Sequence, residues 1–469
     1  MNTKALRQKI LDLAIHGKLV PQDPNDEPAS VLLQRIKAEK ERLIKEGKIK
    51  RAKKLKATCD KPHYPYQLPE GWEWTMLGEV AEVITGNTPS KDIKEYYGGN
   101  IPFFKPTDLE QGIHTKYSKD RLTPLGFEQS RKLPANSVLV TCIGATIGKT
   151  GLTTVEGTCN QQINAIIPTS VIQSKYLYYV CISDYMQHKI TTNASATTLP
   201  ILNKGNFSKI ATPIPPLQEQ SRIVESIEHW LSLVDCIEES KNNLQEAIKQ
   251  TKSKILDLAI HGKLVPQDPT DEPASELLKR INPKAEITCD NGQYGKLPKG
   301  WCEIQLGDIF NHNTGKALNA SNTEGTQRKY LTTSNVYWNT FDFTTVKQMY
   351  YKDNELAKCS ITKGDLLVCE GGDIGRAAIW NFDYDICIQN HLHRLRPKFS
   401  GLCVPLYYYV FYYLKVNNLI GGKGIGLLGL SSNALHKLHI PLPPLNEQHH
   451  IVAKIEELFA QLDNIAAAL

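Results

Sequence analysis

The sequence predicts an α+β protein in which two mixed, β-rich domains are joined by long antiparallel coiled-coil helices in a pseudo-two-fold circular arrangement. Three observations support this prediction: a long internal repeat, a heptad pattern of apolar residues, and strand-like runs that lie outside the repeated segments. The expected divisions are 1–67, an N-terminal helix and basic linker; 68–215, a first β-rich domain; 216–296, a central long helix and linker; 297–443, a second β-rich domain; and 444–469, a C-terminal helix.

The internal repeat is a near copy of one segment, displaced along the chain. Ile10–Ile36 reads ILDLAIHGKLVPQDPNDEPASVLLQRI, and Ile255–Ile281 differs from it at only three positions. Two shorter pairs follow in the same order, LPEGW with LPKGW and PIPPLQEQ with PLPPLNEQ. Since the repeat is far longer than a solenoid unit, it indicates a duplicated domain. The segments between the copies align poorly, so one frame carries two divergent inserts.

The central helix is predicted from a 3.5-residue apolar repeat that runs from Ile223 to Leu258, with Lys241 and Thr251 as polar exceptions. Two prolines precede its start, and Gly262 is placed to end it. The two terminal segments continue the same rhythm. We therefore expect the chain ends together to rebuild a copy of the central helix and to pack antiparallel against it.

The length of this helix suggests a role. A helix of about 35–40 residues spans roughly 50–60 Å, and one turn of B-DNA is about 34 Å. A helix of this size could hold two DNA-binding domains over successive major grooves.

The two inserts show the same order of features with different residues. Each has a strand-like run, a glycine turn, a polar cluster and an aromatic helix-like stretch. These features are Ser137–Cys142 and Asp365–Cys369, Gly144–Lys149 and Gly371–Arg376, Cys159–Asn164 and Ile388–His393, and Tyr176–Tyr179 and Tyr407–Tyr413. A shared order with divergent detail predicts a common fold that presents different surface chemistry.

Polar side chains in the loops of the inserts are the candidates for contact with DNA bases. Arg and Lys pair well with guanine, and Asn and Gln with adenine, in the major groove. The candidates are Asn87, Thr88, Lys91, Lys105, Lys149 and Gln161 in the first insert, and Thr314, Lys316, Arg376, Asn390 and His391 in the second. Ordinary solvent exposure or a local turn bond is the competing interpretation for each of them.

No segment carries the pattern of a catalytic or cofactor site. The turn Gly144–Thr150 resembles a phosphate-binding P-loop, but three residues separate its glycines where four are needed. A basic residue facing a phosphate or base, or a structural turn, are the two interpretations that stay open. His16 and His261 precede glycines at predicted helix ends, where the helix dipole favours histidine. We expect no catalytic residue, metal ligand or bound cofactor.

The composition permits a polyanionic partner without requiring one. The formal net charge is +6, and residues 37–56 form a strongly basic run that could neutralise phosphates or serve only as a solvated linker. The eleven cysteines form no C-x-x-C pair, which favours reduced thiols in a cytosol. No apolar stretch is long enough for a membrane span, and the first residues lack the plan of a signal peptide.

Taken together, the helix–insert–helix–insert–helix order and the LDLAIHGKLVPQDP, P-x-P-P-L-x-E-Q and L-P-x-G-W motifs resemble the specificity subunits of Type I restriction-modification systems. The resemblance covers essentially the whole chain. It implies that each insert is a target-recognition domain reading one half of a bipartite, asymmetric DNA sequence, and that the helices set the gap between the halves. The chain would then be a non-catalytic, cytoplasmic DNA-binding subunit.

The resemblance also implies partners. These are double-stranded DNA, two modification subunits that use S-adenosylmethionine to methylate adenine, and restriction subunits that use ATP and Mg²⁺ to translocate and cleave DNA. Two alternatives stay open at this point. One is a two-headed protein-interaction scaffold without DNA specificity, and the other is a self-sufficient enzyme.

Overall fold

The computed structural model describes residues 2–47, 64, 66–169, 172–195, 199–285, 287, 294–318, 323–420 and 430–469. The chain forms two compact units, Met1–Ser240 (unit 1) and Lys241–Leu469 (unit 2). Of the predicted basic run, residues 48–56 lie outside the described residues. Both helices and sheets are present, so the α+β prediction is confirmed.

Unit 1 contains a set of mostly short helices and the first part of a very long one. Its helices are α1 (Thr3–Ile15), α2 (Ala29–Lys45), α3 (Leu77–Val80), α4 (Pro124–Glu128), α5 (Ser174–Ile182), α6 (Asp184–Thr192), α7 (Lys204–Ser208) and the beginning of α8 (Leu217–Ile260). Its strands are β1 (Glu73–Met76), β2 (Ala81–Thr85), β3 (Tyr97–Phe104), β4 (Asp120–Leu122), β5 (Val138–Thr141), β6 (Thr150–Leu152), β7 (Thr158–Cys159), β8 (Ile163–Pro168) and β9 (Ala211–Ile214). Two 3₁₀ helices lie at Lys94–Tyr96 and Asp108–His114.

The strands of unit 1 form three small sheets. An antiparallel sheet has the order β2-β8-β5-β6, a mixed sheet has the order β4-β3-β7 with β3 parallel to β7, and β1 pairs with β9. The predicted strand in Ser137–Cys142 is confirmed as β5, and its residues are buried on both faces. Val138 and Val140 face the core around helix α5, while Leu139 faces a second core with Phe104. This explains why β5 reads as a continuous apolar run.

Unit 2 repeats this architecture after the end of α8. Its helices are α9 (Ala274–Ile281), α10 (Leu306–Ile309), α11 (Asp353–Cys359), α12 (Val404–Val416), α13 (Ser432–His436) and α14 (Leu445–Ala467). Its strands are β10 (Cys302–Gln305), β11 (Phe310–Thr314), β12 (Thr326–Leu331), β13 (Val336–Tyr337), β14 (Thr340–Phe341), β15 (Lys347–Tyr351), β16 (Ser360–Ile361), β17 (Leu366–Cys369), β18 (Ala377–Ile379), β19 (Ile386–Ile388), β20 (Leu392–Pro397) and β21 (His439–Leu442).

The sheets of unit 2 correspond to those of unit 1. The order β11-β20-β17-β18 matches the antiparallel sheet, and β10 pairs with β21 as β1 does with β9. The mixed sheet is larger here, β15-β12-β19-β16, and again contains one parallel pair, β12 with β19. The predicted aromatic helices are confirmed as α5 and α12, each buried against its antiparallel sheet.

The long helix α8 has 44 residues, more than the 35–40 expected, and at about 1.5 Å per residue it spans roughly 66 Å. In unit 1, α1 runs antiparallel to it, since Thr3 bonds to Glu238 and Arg7 pairs with Asp235. In unit 2, α14 runs antiparallel to it. Lys241 Nζ donates to the Leu469 carbonyl at 2.8 Å and Lys252 Nζ pairs with Asp463 at 2.5 Å. The predicted antiparallel pairing is therefore confirmed within each unit.

The heptad seam of α8 is buried only in part. Ile223, Ile227 and Val234 are buried in unit 1, and Ile248 and Ile255 in unit 2, as predicted. Three seam positions differ from the prediction, because their side chains are 40–47% exposed: Trp230, Ile237 and Leu244. The last two lie where α1 begins and α14 ends, so little helix is present to cover them.

Candidate nucleic-acid interface

The repeated motifs converge on one buried glutamate, Glu219, in unit 1. The Trp72 indole donates to Glu219 Oε2 at 3.0 Å, and Gln22 Nε2 donates to Glu219 Oε1 at 3.1 Å. Gln22 also donates to the Gly17 carbonyl at 2.7 Å. Burial raises the pKa of Glu219, and the bonds from Gln22 and Trp72 act against that rise. We call the cluster of Gly17, Gln22, Trp72 and Glu219 the repeat node of unit 1.

Unit 2 contains the same cluster with nearly the same geometry. Trp301 donates to Glu447 at 2.8 Å, while Gln267 donates to Glu447 at 3.1 Å and to the Gly262 carbonyl at 2.7 Å. These four residues form the repeat node of unit 2, and burial again raises the pKa of Glu447.

The glycine of each node is required by both backbone conformation and space. Gly17 and Gly262 each have φ of 64°, which ends α1 and α8 in the left-handed region. A Cβ atom would lie 2.4 Å from Pro69 Cγ in unit 1 and 2.3 Å from Pro298 Cγ in unit 2. The near identity of the repeated motifs thus follows from one packing arrangement around a buried glutamate.

The predicted DNA-contacting residues of unit 1 come together at one end of its sheets. Because β2-β8-β5-β6 is antiparallel, the end of β2, the start of β8, the end of β5 and the start of β6 share one end of the sheet. The parallel pair β3 and β7 ends at the same place. We call the loops at this end loop cluster 1; they are 86–92, 105–107, 142–149 and 160–162. All six candidates of the first insert lie in it.

Several of these candidates are already engaged within the fold. Asn87 Nδ2 donates to the Gln129 carbonyl at 2.9 Å, and its Oδ1 accepts from the Arg131 amide at 2.8 Å. Lys105 pairs with Asp120. The side chain of Asn87 therefore fixes a loop.

Of the other candidates of loop cluster 1, Thr88 and Lys149 have side-chain partners, and two are exposed. Thr88 donates to Gln161 Oε1 at 2.5 Å, which joins two of the loops. Lys149 Nζ lies 2.9 Å from Glu110. Lys91 and Gln161 are exposed.

The same topology gathers the candidates of unit 2. Loop cluster 2 consists of loops 315–318, 332–335, 370–376 and 389–391, at the corresponding end of β11-β20-β17-β18 and of the parallel pair. Thr314 is the last residue of β11 beside it. Lys316 is buried among partners, since its Nζ contacts the Tyr350 carbonyl at 2.9 Å and Glu355 at 2.6 Å, and its side chain is 13% exposed. Lys316 therefore supports the loops.

Arg376 is held differently from the other cations of loop cluster 2. Its Nη2 donates to the Thr333 carbonyl at 2.6 Å, and its guanidinium lies over the ring of Tyr337 at 4.8 Å. Its Nε is buried without a described hydrogen-bond partner. Asn390 is half-buried, and His391 is exposed 3.6 Å from Glu370.

Lys149 and Arg376 occupy the same position in matching turns. The Thr141 amide donates to the Lys149 carbonyl at 2.8 Å, and the Cys369 amide donates to the Arg376 carbonyl at 2.8 Å. Gly148 and Gly375 precede them with positive φ in both turns. One backbone geometry therefore presents an ammonium in unit 1 and a guanidinium in unit 2.

Sequence reasoning missed a set of exposed polar residues that lie in strands rather than loops. Thr326–Lys329 of β12 are all exposed, as are Lys347 and Gln348 of the neighbouring strand β15. The segment TQRK lacks the alternating apolar residues of a half-buried strand, and this departure is the signal that could have identified it.

Neither a metal site nor a membrane span is present among the described residues. No group of three or more His, Cys, Asp or Glu side chains is placed to hold a metal ion. No helix in the described part of the chain is long and apolar enough to cross a membrane.

The family described as "Type I restriction modification DNA specificity domain" matches the chain twice, over residues 69–246 and 298–468. Two curated relatives from Escherichia coli resemble nearly the whole chain. The Type I restriction enzyme EcoAI specificity subunit is 28% identical, and the match covers 97% of this chain and 88% of that protein. The EcoEI specificity subunit is 27% identical, and the match covers 99% of this chain and 90% of that protein.

Solved structures show the same fold. A chain of the structure described as "Structural basis underlying complex assembly and conformational transition of the type I R-M system" has a TM-score of 0.60 at 21% identity, covering 86% of this chain and 94% of that one. The crystal structure of the HsdS subunit from Thermoanaerobacter tengcongensis has a TM-score of 0.53 at 20% identity, covering 86% of this chain and 93% of that one.

Proposed function

The chain belongs to the Type I restriction modification DNA specificity domain family, and we propose that it is the specificity subunit of a Type I restriction-modification system. Residues 68–215 and 297–443 are its two target-recognition domains, and each reads one half of a bipartite, asymmetric DNA target. The subunit acts in the cytoplasm, carries no catalytic residue or cofactor, and directs partner subunits to methylate or cleave DNA.

One observation supports this proposal above the others: the two units share their repeat nodes and differ in their loop clusters. A turn with the same hydrogen bonds presents Lys149 in one unit and Arg376 in the other. Gln161 and Asn390 likewise follow equivalent parallel strands, and their side-chain amides, which can pair with bases, lie at different distances from the backbone because Gln is one methylene group longer. Two unlike sets of donors and acceptors on one backbone fit two different DNA half-sites better than they fit two copies of one protein partner.

The long helix fits the roles of spacer and docking surface for the modification subunits. Its exposed apolar side chains Trp230, Leu233 and Ile237 lie among the acidic residues of the N-terminal half of α8. Acidic surface repels phosphates, so this face suits a protein rather than DNA. Two modification subunits that bind S-adenosylmethionine, joined by restriction subunits that use ATP and Mg²⁺, are the partners we propose.

The proposal is tested by binding of the chain, assembled with its modification subunits, to duplexes built on the target found by mapping methylated adenines in the host genome. We expect tight binding only when both halves and the gap are intact, because each unit supplies part of the affinity. Scrambling either half is the control. Equal affinity for target and scrambled DNA would exclude the proposal, and protein binding that ignores DNA would favour the scaffold alternative.

Insertion of four residues beside Lys241 tests the spacer role. Four residues add about 6 Å to α8, close to the rise of two base pairs at about 3.4 Å each. We expect a longer preferred gap with unchanged half-site sequences, measured by selection from duplexes with randomised gaps. An unchanged gap would show that α8 does not set the spacing.

A further inference from the structure

Strands β12 and β15 of unit 2 form a two-stranded ribbon that extends beyond their sheet. The two strands pair at five positions, from Thr326 with Tyr351 to Tyr330 with Lys347. The other neighbour of β12, strand β19, pairs only with Tyr330 and Leu331. The first four residues of β12 therefore have one strand partner. We call this feature, Thr326–Leu331 with Lys347–Tyr351, the β12–β15 ribbon.

The two faces of the ribbon have different surroundings. On one face, Tyr330 and Tyr351 are buried in a small core with Cys359 and Cys387, and Met349 packs against it. That face anchors the ribbon to unit 2, so the strands are held rather than free.

The opposite face of the ribbon is polar and exposed at three positions, between the half-buried Tyr350 and the buried Leu331. It carries Gln327, Lys329 and Gln348, with Lys329 directly across from Gln348. All three are exposed, and no hydrogen bond or ion pair to another described residue involves their side chains. Lys347, at the start of β15, is exposed as well.

The chemistry of this face matches a DNA groove. The major groove of B-DNA admits a two-stranded β-ribbon, and Gln pairs with adenine there while Lys pairs with guanine. Arg328, 3.9 Å from Asp353, and Lys347 belong to the anchored face by the strand pairing, yet both are exposed, which leaves them available to flanking phosphates.

The ribbon is continuous with loop cluster 2. Strand β12 ends at Leu331 and leads directly into the turn 332–335, whose Thr333 carbonyl holds Arg376. Lys347 pairs with Tyr330, one residue before that end. A DNA duplex that lies on loop cluster 2 would therefore be adjacent to the end of the ribbon that carries Lys347.

Protection of a sheet edge is the competing explanation for charge on a strand, since lysines on edge strands prevent aggregation. Strand β15 is the edge strand of the sheet, and residues 326–329 of β12 pair with no strand on their other side, so Arg328 and Lys329 also lie at an unpaired edge. Two neutral glutamines on the exposed face give no protection by charge. Edge protection thus accounts for the cations Arg328, Lys329 and Lys347 and leaves the exposed Gln327 and Gln348 unexplained.

Unit 1 has no equivalent of this surface among its described residues. Its corresponding strand β3 pairs with the three-residue β4 through a register shift between Tyr97 and Ile101. The exposed part of β3 carries Gly98 and Asn100 and no cation, and the three-residue β4 offers one exposed cation, Arg121, with no glutamine beside it. The feature is therefore specific to unit 2.

We infer that the β12–β15 ribbon is a DNA-contacting element that lies in the major groove of the second half-site, with Gln327, Lys329 and Gln348 toward the bases. This inference rests on the proposed function. It assigns base contacts to strand residues outside loop cluster 2, and it makes the two half-sites unequal in the way they are read.

The test compares Lys329→Ala and Gln348→Ala with the unchanged chain, each assembled with its modification subunits, on target duplexes that carry every single-base change. We expect Lys329→Ala to weaken binding by about 5- to 100-fold and to relax base preference at a position of the second half-site, because Lys329 faces the bases. Gln348→Ala should relax base preference at a position of the second half-site and leave the first half-site unaltered.

Two control variants remove similar groups elsewhere. Lys299→Ala removes an exposed positive charge from unit 2 outside the ribbon, and Asn100→Ala alters the corresponding strand of unit 1. Both should leave affinity and base preference unchanged, and thermal melting of all variants should match that of the unchanged chain.

If the unchanged complex discriminates its bipartite target while the ribbon variants keep its affinity and base preferences, the inference is overturned and the proposed function stands. The inference is overturned as well if Lys299→Ala weakens binding as much as Lys329→Ala, since net charge would then be the cause. If the unchanged complex shows no preference for its target, both the proposed function and the inference fail.

Discussion

Each unit of this protein contains one repeat node and one loop cluster. The nodes of the two units match, whereas their loop clusters do not. The nodes are almost identical between units: Trp72 and Trp301 donate to buried glutamates at 3.0 and 2.8 Å. The loop clusters share backbone hydrogen bonds and almost no side chains, as Lys149 and Arg376 show. Identity therefore marks residues that pack against one another, and divergence marks residues that face outward.

The repeated motifs are conspicuous in the sequence, but their residues hold the fold together. A pattern such as HGKLVPQDP suggests a ligand site, yet its Gly ends a helix and its Gln donates a hydrogen bond to a buried carboxylate. The residues proposed to contact DNA lie in segments without any repeated pattern. Three predictions test this division.

The largest effect is expected from Gly17→Ala or Gly262→Ala, because either substitution disrupts the packing of a repeat node. Alanine at φ of 64° is strained, and its Cβ would lie about 2.3–2.4 Å from a proline ring carbon. We expect a loss of at least about 2 kcal/mol in the free energy of unfolding for either variant, measured by denaturant or thermal unfolding.

Gly295→Ala is the control that separates strain from collision. Gly295 also has positive φ, 68°, but no described atom lies within 4 Å of its added Cβ. It should cost about 1 kcal/mol through backbone strain alone. Equal losses for Gly295→Ala and Gly262→Ala would show that the close contact with Pro298 does not matter.

A smaller and one-sided effect is expected from the matching turns. Arg376→Ala should weaken DNA binding by about 1–3 kcal/mol and relax the second half-site only, and Lys149→Ala should do the same for the first. Both follow if the exposed ends of these side chains contact bases. Affinity for duplexes with single changes in each half provides the measurement.

Arg376→Lys places the unit 1 residue in the unit 2 turn and keeps the positive charge. A guanidinium that stacks on Tyr337 and donates to the Thr333 carbonyl is not replaced by an ammonium. We expect Arg376→Lys to relax base preference as Arg376→Ala does. Because the positive charge is kept, the salt dependence of binding should stay that of the unchanged chain. Relaxation of both half-sites by any one of these variants would contradict the independence of the two units.

The sequence alone was enough to predict the features that depend on a periodic apolar pattern or on the internal repeat. The 3.5-residue repeat predicted α8 and its antiparallel partners, Gly262 marked its end, and the apolar runs predicted β5 and β17. These features are local, or they are copied within the chain, so they can be read from one sequence.

Features that depend on contacts between distant residues could not be read in this way. Nothing in the sequence shows that Lys316 would be buried against Glu355, 39 positions later, or that Asn87 would bind the backbone at Gln129. Exposure of Trp230 within the seam also depends on where the partner helix lies. The choice of candidate residues in the loops remains a prediction, since base contact depends on loop geometry with DNA bound.

The smallest expected effect is a difference between the two antiparallel sheets in how much stability each loses at acidic pH. In unit 2, His312 Nε2 lies 2.9 Å from His393 Nδ1, and His393 Nε2 lies 2.7 Å from the Leu430 carbonyl. The corresponding residues of unit 1 are Val83 and Asn164, and Asn164 donates to the Leu202 carbonyl at 3.3 Å. Only unit 2 therefore has a titratable pair at this position of the sheet.

Burial, with His393, His436 and Arg394 nearby, lowers the pKa of His312 to about 4, and burial also lowers the pKa of His393. The unfolded chain binds these protons near pH 6.5, whereas the folded chain does not. Stability from the pair is therefore complete above pH 6.5 and is lost as the pH falls toward 4. We expect the melting temperature to fall between pH 7.5 and 5.0.

The double variant His312→Val, His393→Asn gives unit 2 the residues of unit 1 and should reduce that fall, because neither replacement titrates. Comparing the change in melting temperature with pH, rather than its value at one pH, removes any constant cost of repacking the sheet. Val83→Ala, at the same position of unit 1, should alter stability equally at both pH values. If the double variant loses as much stability in acid as the unchanged chain, other groups are responsible, and the two sheets do not differ in their response to acid.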